Sequence, residues 1–301
     1  MTADLSVVVA TRDRPEMLDR ALASLRASLR PTDELLVVDS ASRDAAAVRA
    51  VVDRYAARLV RCEQPGEARA RNRGWRTASH SLVGYVDDDV WVAPGWADAM
   101  RQAADSAPTV AFVTGRIDIP EGQGTLAVSI KADQSEQVFD RNAHGVIGHA
   151  ANLVVRREAV ASVGGFDEML GVGARFHAAP ETDLFDRLFA VGATGCYAPA
   201  AQAWHDQWRR AREYVRLQHR YGIGAGARLS KLWRLDRGRW RIVVVDDVWR
   251  WGVRSLVGEL WRRDWPRAAG SLLRVLGMLR GFVAAARVPL RAGHFAASSS
   301  S

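Results

Sequence analysis

Residues 82–92 read LVGYVDDDVWV, so three adjacent carboxylates, Asp87, Asp88 and Asp89, stand between two apolar runs. Charged groups beside buried apolar strands cost free energy unless something compensates them. A divalent cation is the usual compensation, because hard ions such as Mg²⁺ prefer carboxylate oxygens. Taken alone, the triplet is more often a solvated acidic turn than a metal site. Its interpretation therefore depends on the rest of the first 100 residues.

Four short apolar runs in this region alternate with helical patterns. The runs are residues 5–10, 35–38, 59–62 and 82–86, and each has the composition of a buried strand. Apolar residues at helical spacing fill the intervals between them. This alternation predicts a parallel α/β sheet of the nucleotide-binding type. Ligands of such sheets bind at the carboxyl ends of the strands, which is where the aspartates stand.

Seven short motifs occur in a fixed order across about 200 residues. They are VVVATRDRP (7–15), VVDSAS (37–42), GEARARNRG (66–74), VDDD (86–89), VGGFDE (163–168), ETDL (181–184) and WH (204–205). Each motif is weak by itself, but in this order they resemble those of an inverting family 2 glycosyltransferase with the GT-A fold. The resemblance fades after about residue 210. It implies an α/β fold with a mixed, mainly parallel nucleotide-sugar-binding sheet flanked by helices.

We expect three segments along the chain. Residues 1–208 would form the GT-A glycosyltransferase domain, with about 1–100 binding the nucleotide sugar and about 101–208 providing the acceptor side and the base. Residues 209–292 would form a C-terminal helical basic extension rich in tryptophan. Residues 293–301, which end in four serines, would be a disordered tail.

The resemblance assigns the aspartates to the donor and a metal. It implies that Asp87 faces the nucleotide ribose and that Asp89 faces the metal and the diphosphate, with Asp88 beside them. His205 matches a position that can complete the metal shell. A bound Mn²⁺ or Mg²⁺ would act as a Lewis acid on the departing diphosphate. The sequence leaves open which of the three carboxylates coordinate the ion.

Four further residues are donor-site candidates. Thr11 and Arg12 end the first strand and should line the same pocket. Asp39 ends the second strand at the position that the resemblance assigns to the nucleobase, although a helix cap is the alternative role. Arg71 could pair with a phosphate, for which a planar guanidinium is well shaped, or could be solvated on its helix.

The resemblance also implies a general base at the start of the helix that follows the glycine-rich turn 164–167. Glu181 takes the place of the usual aspartate there, and Pro180 replaces the glutamate that normally precedes it. This departure leaves Glu181 and Asp183 as the two catalytic candidates. Asp183 could instead be a helix N-terminal carboxylate stabilised by the dipole. We favour Glu181 as the base.

Charge is distributed unevenly along the chain. Residues 209–292 contain 20 Lys and Arg against 6 Asp and Glu, a net of +14, whereas the whole chain has +8. The same segment holds six of the eleven tryptophans. Basic helices with tryptophan on an apolar face suit an anionic membrane surface. Packing on the core or on a second subunit of a homo-oligomer is an equal alternative. Nucleic acid is disfavoured as a partner because no recognised binding module accompanies the charge.

Two features point to a cytoplasmic protein, either free or peripheral at the inner face of the membrane. The apolar run 5–10 is too short for a signal peptide. The longest uncharged stretch, 188–204, falls short of a membrane span.

Cys62 and Cys196 have no ligand-like spacing, so they indicate neither a disulfide framework nor a zinc site.

The sequence thus favours a metal-dependent enzyme that moves a sugar from a nucleotide-sugar donor to a lipid, glycan or small-molecule acceptor. One alternative is a nucleotide-sugar-binding or membrane-associated scaffold that has lost catalysis. The intact aspartates and the available Glu181 argue against it. A nucleotidyltransferase is a weaker alternative, because residues 11–15 have no glycine for the signature loop usual near the first strand of that class.

Overall fold

The structure is a computed structural model that describes residues 3–123 and 126–296. A nine-stranded mixed sheet with its flanking helices is followed along the chain by a group of C-terminal helices. The sheet strands are β1 (Leu5–Thr11), β2 (Glu34–Ser40), β3 (Arg58–Cys62), β4 (Leu82–Asp87), β5 (Val90–Val92), β6 (Val110–Asp118), β7 (Gln137–Phe139), β8 (Asn152–Arg156) and β9 (Thr194–His205). The helices of the sheet domain are α1 (Pro15–Ser28), α2 (Ala45–Arg54), α3 (Glu67–Thr77), α4 (Trp96–Ala104), α5 (Arg157–Ser162) and α6 (Pro180–Ala190).

The C-terminal part is helical, as predicted. It contains α7 (Ala211–Leu235), α8 (Arg237–Val244), a π-helix that we call π1 (Val245–Arg254), α9 (Ser255–Trp261) and α10 (Trp265–Ala286). A small hairpin of β10 (Leu290–Arg291) and β11 (His294–Phe295) follows. Residues 293–296 therefore belong to ordered structure, although the predicted disordered tail began at 293. The remainder of that tail, 297–301, lies outside the described residues.

The strand order is β3-β2-β1-β4-β8-β6-β9-β5, with β7 also paired to β9. Strands β3, β2, β1 and β4 are parallel, while β8 runs antiparallel to both of its neighbours. Thr11 is paired with Asp39, and Ala10 with Asp87, so the ends of β1, β2 and β4 meet at one edge. The four predicted strands and the mixed sheet flanked by helices are confirmed.

Apolar layers cover both faces of the sheet. Helices α1, α2 and α4 bury Leu18, Val48 and Trp96 on one face, and α3, α5 and α6 bury Ala68, Val160 and Leu184 on the other. The apolar stripes of these amphipathic helices meet strands that are buried on both sides. This rigid layer holds the polar strand ends in place above it.

Helices α7 and α10 pack against each other through glycines. Gly222 and Gly226 lie on α7, and Gly277 and Gly281 lie on α10. A Cβ atom on Gly226 would stand 2.0 Å from the carbonyl oxygen of Met278, so the two backbones are in direct contact. Small residues spaced by four allow helices to approach this closely. This helix pairing was not predicted from the sequence.

The apolar stripe of α10 faces outward. Leu272, Leu276, Leu279 and Val283 are exposed, while the glycine side of the helix contacts α7. By length and composition α10 could cross a membrane, although 39% of its apolar window is buried inside the protein. One such helix is weak evidence for a span. Residues 188–204, the stretch considered from sequence, belong to α6 and β9 instead.

Ion pairs join the C-terminal helices to the sheet domain. Lys231 of α7 contacts Asp167 and Asp183, the latter at 2.6 Å. Arg228 and Arg239 both contact Asp186 of α6. All of these side chains are buried. Part of the basic charge in 209–292 is therefore neutralised within the protein, although the division at 208/209 stays a prediction.

Candidate active site

A cavity of about 730 Å³ opens where β1 and β4 end and continues towards the C-terminal helices. Of the residues predicted from sequence, those that line it are Thr11, Arg12, Arg71, Asp87, Asp88, Asp89, Glu181 and His205. Asp39 and Asp183 are not among the lining residues. The fold thus brings together side chains that are almost 200 positions apart in sequence, as parallel strand ends are expected to do.

Asp87 is the most accessible of the three aspartates. Its side chain is 32% exposed, and one carboxylate oxygen accepts a hydrogen bond from Arg71 at 2.7 Å. Arg71 is itself buried and also pairs with Glu67 at 2.7 Å. Because two carboxylates flank the guanidinium, Arg71 orients Asp87 towards the cavity. A direct contact of Arg71 with phosphate stays a prediction.

Asp88 lines the cavity, but both of its carboxylate oxygens are held by neighbouring side chains. It accepts hydrogen bonds from Oγ1 of Thr11 at 2.8 Å and from the guanidinium of Arg14 at 3.1 Å. Burial raises the pKa of Asp88 to about 7, since the lost hydration and the charges of Asp89 and Asp87 outweigh Arg14 and Thr11. With both oxygens engaged, Asp88 holds the loop after β1 against the cavity wall.

Asp89 and His205 form a buried pair. Strands β5 and β9 are antiparallel, and His205 Nε2 lies 3.3 Å from an Asp89 oxygen. Burial acts to raise the pKa of Asp89, but His205 and Arg14 outweigh it and hold this pKa well below its usual range. Burial likewise acts to lower the pKa of His205, but the Asp89 carboxylate prevails and raises it. Both shifts favour an ion pair between a carboxylate and an imidazolium.

The Asp89–His205 pair has the chemistry of a metal site. Nδ1 of His205 lies 3.0 Å from the carbonyl oxygen of Val128, so a metal ion that took the place of the proton between Nε2 and Asp89 would meet the lone pair of a neutral imidazole. Within residues 3–123 and 126–296, no group of three or more His, Cys, Asp or Glu side chains could hold a metal ion. Mg²⁺ sites commonly use one or two protein groups together with substrate phosphates. Asp89 and His205 fit an ion of that kind.

Thr11, Arg12 and Asp39 have different roles at the edge of the sheet. Thr11 is fixed on Asp88, whereas Arg12 is exposed and 3.8 Å from Asp13. Asp39 is buried, accepts a hydrogen bond from the backbone of Ser42 at 2.9 Å and forms an ion pair with Arg61. Its carboxylate therefore shapes the loop after β2, and a contact with the nucleobase stays a prediction.

Glu181 lies in the first turn of α6 and faces the cavity. Its side chain is 18% exposed, and one oxygen is 3.9 Å from Nδ1 of His149. Burial acts to raise the pKa of Glu181, but His149 and Arg71 outweigh it and lower this pKa below its ordinary value. Glu181 is therefore ionised at neutral pH and able to accept a proton.

Asp183 has a different environment only two residues further on. Its carboxylate is 2.9 Å from Arg187 and 2.6 Å from Lys231, deep within the protein. These two cations outweigh burial and lower the pKa of Asp183. Both of its oxygens are engaged, so Asp183 fastens α6 to α7.

Several cavity residues were not assigned from the sequence. Arg14 contacts Asp88 and Asp89, and His149 faces Glu181 with its own Nε2 buried and without a hydrogen-bond partner in the described residues. Arg14 lies in the same polar loop as Arg12, so its position in that motif could have identified it as a site residue. No local pattern distinguishes His149 from any other loop histidine.

The model of the family described as "Glycosyl transferase family 2" matches residues 6–164, which is more than half of the chain. The chain belongs to glycosyl transferase family 2. The resemblance stated from the seven motifs is thereby confirmed. The matched residues include Asp87, Asp88 and Asp89 but end before Glu181 and His205.

Relatives of this chain include two mycobacterial proteins. The pre-mycofactocin glycosyltransferase of Mycobacterium tuberculosis is 30% identical over 240 residues, which cover 75% of this chain and 47% of the relative. The chain thus spans about half the length of that protein. The N-acetylglucosaminyl-diphospho-decaprenol L-rhamnosyltransferase of the same species is 28% identical over 251 residues, covering 68% and 76%.

A solved structure shares the fold. The mannosyltransferase PcManGT from Pyrobaculum calidifontis, determined in complex with GDP-Man and Mn²⁺, superposes with a TM-score of 0.67 at 17% identity. The match covers 93% of this chain and 88% of the mannosyltransferase. The chain therefore has the predicted GT-A type fold, including helices of the C-terminal part.

Proposed function

We propose that this family 2 member is a metal-dependent inverting glycosyltransferase, which transfers a sugar from a nucleotide-sugar donor to an acceptor hydroxyl. The supporting observation is that one cavity contains both the Asp89–His205 pair and the ionised Glu181. The first is suited to a metal-bound diphosphate and the second to an acceptor proton. A scaffold without catalysis would have no need for both.

At the donor end, Asp87 would accept hydrogen bonds from the ribose, while Arg71 keeps its carboxylate in position. Asp89 and His205 would hold Mn²⁺ or Mg²⁺, which when bound supplies Lewis-acid stabilisation of the leaving diphosphate. Thr11 and Arg12 border this end, and Arg12 is free enough to reach a phosphate. A nucleobase would lie beside Ser40, which lines the cavity next to Asp39.

At the acceptor end, Glu181 would take the proton of the acceptor hydroxyl as its oxygen attacks the anomeric carbon. The bond to the diphosphate breaks on the opposite side of the sugar, so a single displacement inverts the configuration. Donor side chains fixed by buried hydrogen bonds need little rearrangement during this step. Asp183 would take no proton, because Lys231 and Arg187 occupy its oxygens.

The acceptor could be a lipid, a glycan or a small molecule. One relative is named for a diphospho-decaprenol substrate, and a lipid acceptor would agree with the outer face of the C-terminal helices. There Trp249, Trp261 and Trp265 are exposed, as is the apolar stripe of α10, and Arg262 and Arg263, next to Trp261 in sequence, are exposed as well. We therefore propose docking on an anionic lipid surface at the cytoplasmic side of a membrane.

Thermal unfolding with a panel of nucleoside diphosphates tests the donor end. A ligand that binds the folded state raises the melting temperature, so at least one nucleoside diphosphate should do so with Mn²⁺ and lose the effect in EDTA. No shift with any of them would overturn the proposal. Hydrolysis of the matching nucleotide sugar then separates an enzyme from an inactive scaffold, and release of pyrophosphate would instead indicate a nucleotidyltransferase.

A further inference from the structure

The cavity extends beyond Glu181 into a space enclosed by the C-terminal helices. On α7 the lining residues recur every three or four positions, which is one face of a helix. They are Tyr214, Gln218, Tyr221, Ala225 and Arg228. On the facing helices π1 and α9 they include four residues spaced four positions apart, Asp247, Trp251, Ser255 and Glu259. Arg274 of α10 completes the wall.

Three buried polar atoms in this space have no hydrogen-bond partner within the described residues. They are Oδ2 of Asp247, Oε2 of Glu259 and Nε of Arg274. Buried polar groups in native proteins are normally satisfied, and an unsatisfied one calls for an explanation such as a missing ligand. Three of them on one cavity wall, contributed by three successive helical segments, point to a ligand that supplies the missing hydrogen bonds.

The charges at this end are unlike those of a phosphate site. Arg228 is already paired with Asp186 and lies 3.5 Å from Asp247. The atoms without hydrogen bonds belong to two carboxylates and one guanidinium, although Arg228 pairs with Oδ2 of Asp247 and Arg274 also donates to Gln218 at 3.4 Å. A further anion would meet the carboxylates of Asp247 and Glu259, and burial without a partner would be costly for it. A hydroxyl-rich ligand suits the set, because hydroxyls donate to carboxylates and accept from a guanidinium.

Trp251 adds a surface that an uncharged sugar can use. It lines the cavity from π1 and is 41% exposed. An indole offers a large apolar face against which the C–H groups of a sugar ring can pack. The π-helical segment that presents it is itself unusual, since π-turns in proteins occur frequently at functional sites.

We propose that this end of the cavity is a subsite for a sugar unit of the acceptor. Trp251 would contact the ring, and Asp247, Glu259 and Arg274 would bind its hydroxyls. The inference rests on the proposed function, because it is Glu181, in the same cavity, that would make the bound sugar an acceptor. It also assigns a role to the C-terminal helices that is separate from membrane docking.

Saturation-transfer difference NMR without nucleotide tests the subsite independently of the donor end. The probes are methyl β-D-glucopyranoside, methyl α-D-mannopyranoside and methyl N-acetyl-β-D-glucosaminide. We expect at least one to bind the full chain, and Trp251→Ala and Glu259→Gln to weaken that binding about tenfold, the effect of losing about 1.4 kcal/mol. Trp261→Ala is the matched control, because Trp261 is 85% exposed and does not line the cavity.

Two results would overturn the inference. One is that none of the three glycosides binds, and the other is that the Trp251→Ala and Glu259→Gln variants bind as the wild type does. Asp247→Asn provides a second variant from another helical segment if either protein fails to fold. The melting-temperature shift with nucleoside diphosphate and Mn²⁺ is measured on the same samples. If that shift is present while the glycosides fail, only the subsite is refuted; if the shift is missing, the proposed function fails by itself.

Discussion

Replacing Glu181 by glutamine tests the proposed base. The amide has the size of the carboxylate but cannot accept the acceptor proton, so turnover should fall by about 10²–10⁴-fold, or about 2.7–5.4 kcal/mol in activation free energy. Donor binding should change little, because Arg71 keeps its ion pairs with Glu67 and Asp87 at 2.7 Å each. The effect should therefore appear in kcat, with the affinity for nucleoside diphosphate within about threefold of the wild type.

The pH dependence of turnover provides a second test of the same base. The pKa of Glu181 lies below its ordinary value of 4.5, so the ionised base is fully present above pH 4.5 and is lost as the pH falls through the lowered pKa. This acidic limb should vanish from the residual activity of Glu181→Gln. Glu158→Gln, an exposed glutamate on α5, is the control and should leave the profile unchanged. An active Glu181→Gln beside a folded but inactive Asp183→Asn would refute the reasoning.

Three further predictions concern the metal site, the outer face of the C-terminal helices and the packing of α7 on α10. Asp89→Ala should abolish metal-dependent binding of nucleoside diphosphate in calorimetry without unfolding the chain, and near-normal turnover in EDTA would contradict it. Trp261→Ala with Trp265→Ala should reduce sedimentation with anionic liposomes at low salt while neutral liposomes bind neither protein; equal binding of both proteins would contradict the docking surface. Gly226→Ala should lower the free energy of unfolding in urea by about 1–3 kcal/mol, because its Cβ would meet the Met278 backbone, whereas Gly238→Ala, with room for a Cβ, should not.

The nucleotide half of the sheet was predictable because its determinants are local. Parallel strands buried on both faces appear as short apolar runs, and polar residues mark their carboxyl ends. The segments 5–10, 35–38, 59–62 and 82–86 each became a strand of nearly those bounds. The insertion of β8 between β4 and β6 was not predictable, since pairing between distant strands has no local period.

The choice between Glu181 and Asp183 shows the limit at the site. Two positions along an α-helix turn a side chain by about 200°, so one faces the cavity and the other faces α7. The sequence shows that the two carboxylates point in different directions. It does not show which of the two faces the cavity. The same limit applies to α10, whose apolar stripe was identifiable from sequence, while its closest contacts with α7 are made by glycines on another side of the helix.

The most direct test of the central claim is release of nucleoside diphosphate from a panel of nucleotide sugars, measured with Mn²⁺ and with EDTA. We predict release from at least one donor with Mn²⁺ and none with EDTA, together with loss of the activity in both Asp89→Ala and Glu181→Gln. Release that persists in EDTA, or the absence of release from every donor, would contradict the assignment of this cavity to metal-dependent glycosyl transfer.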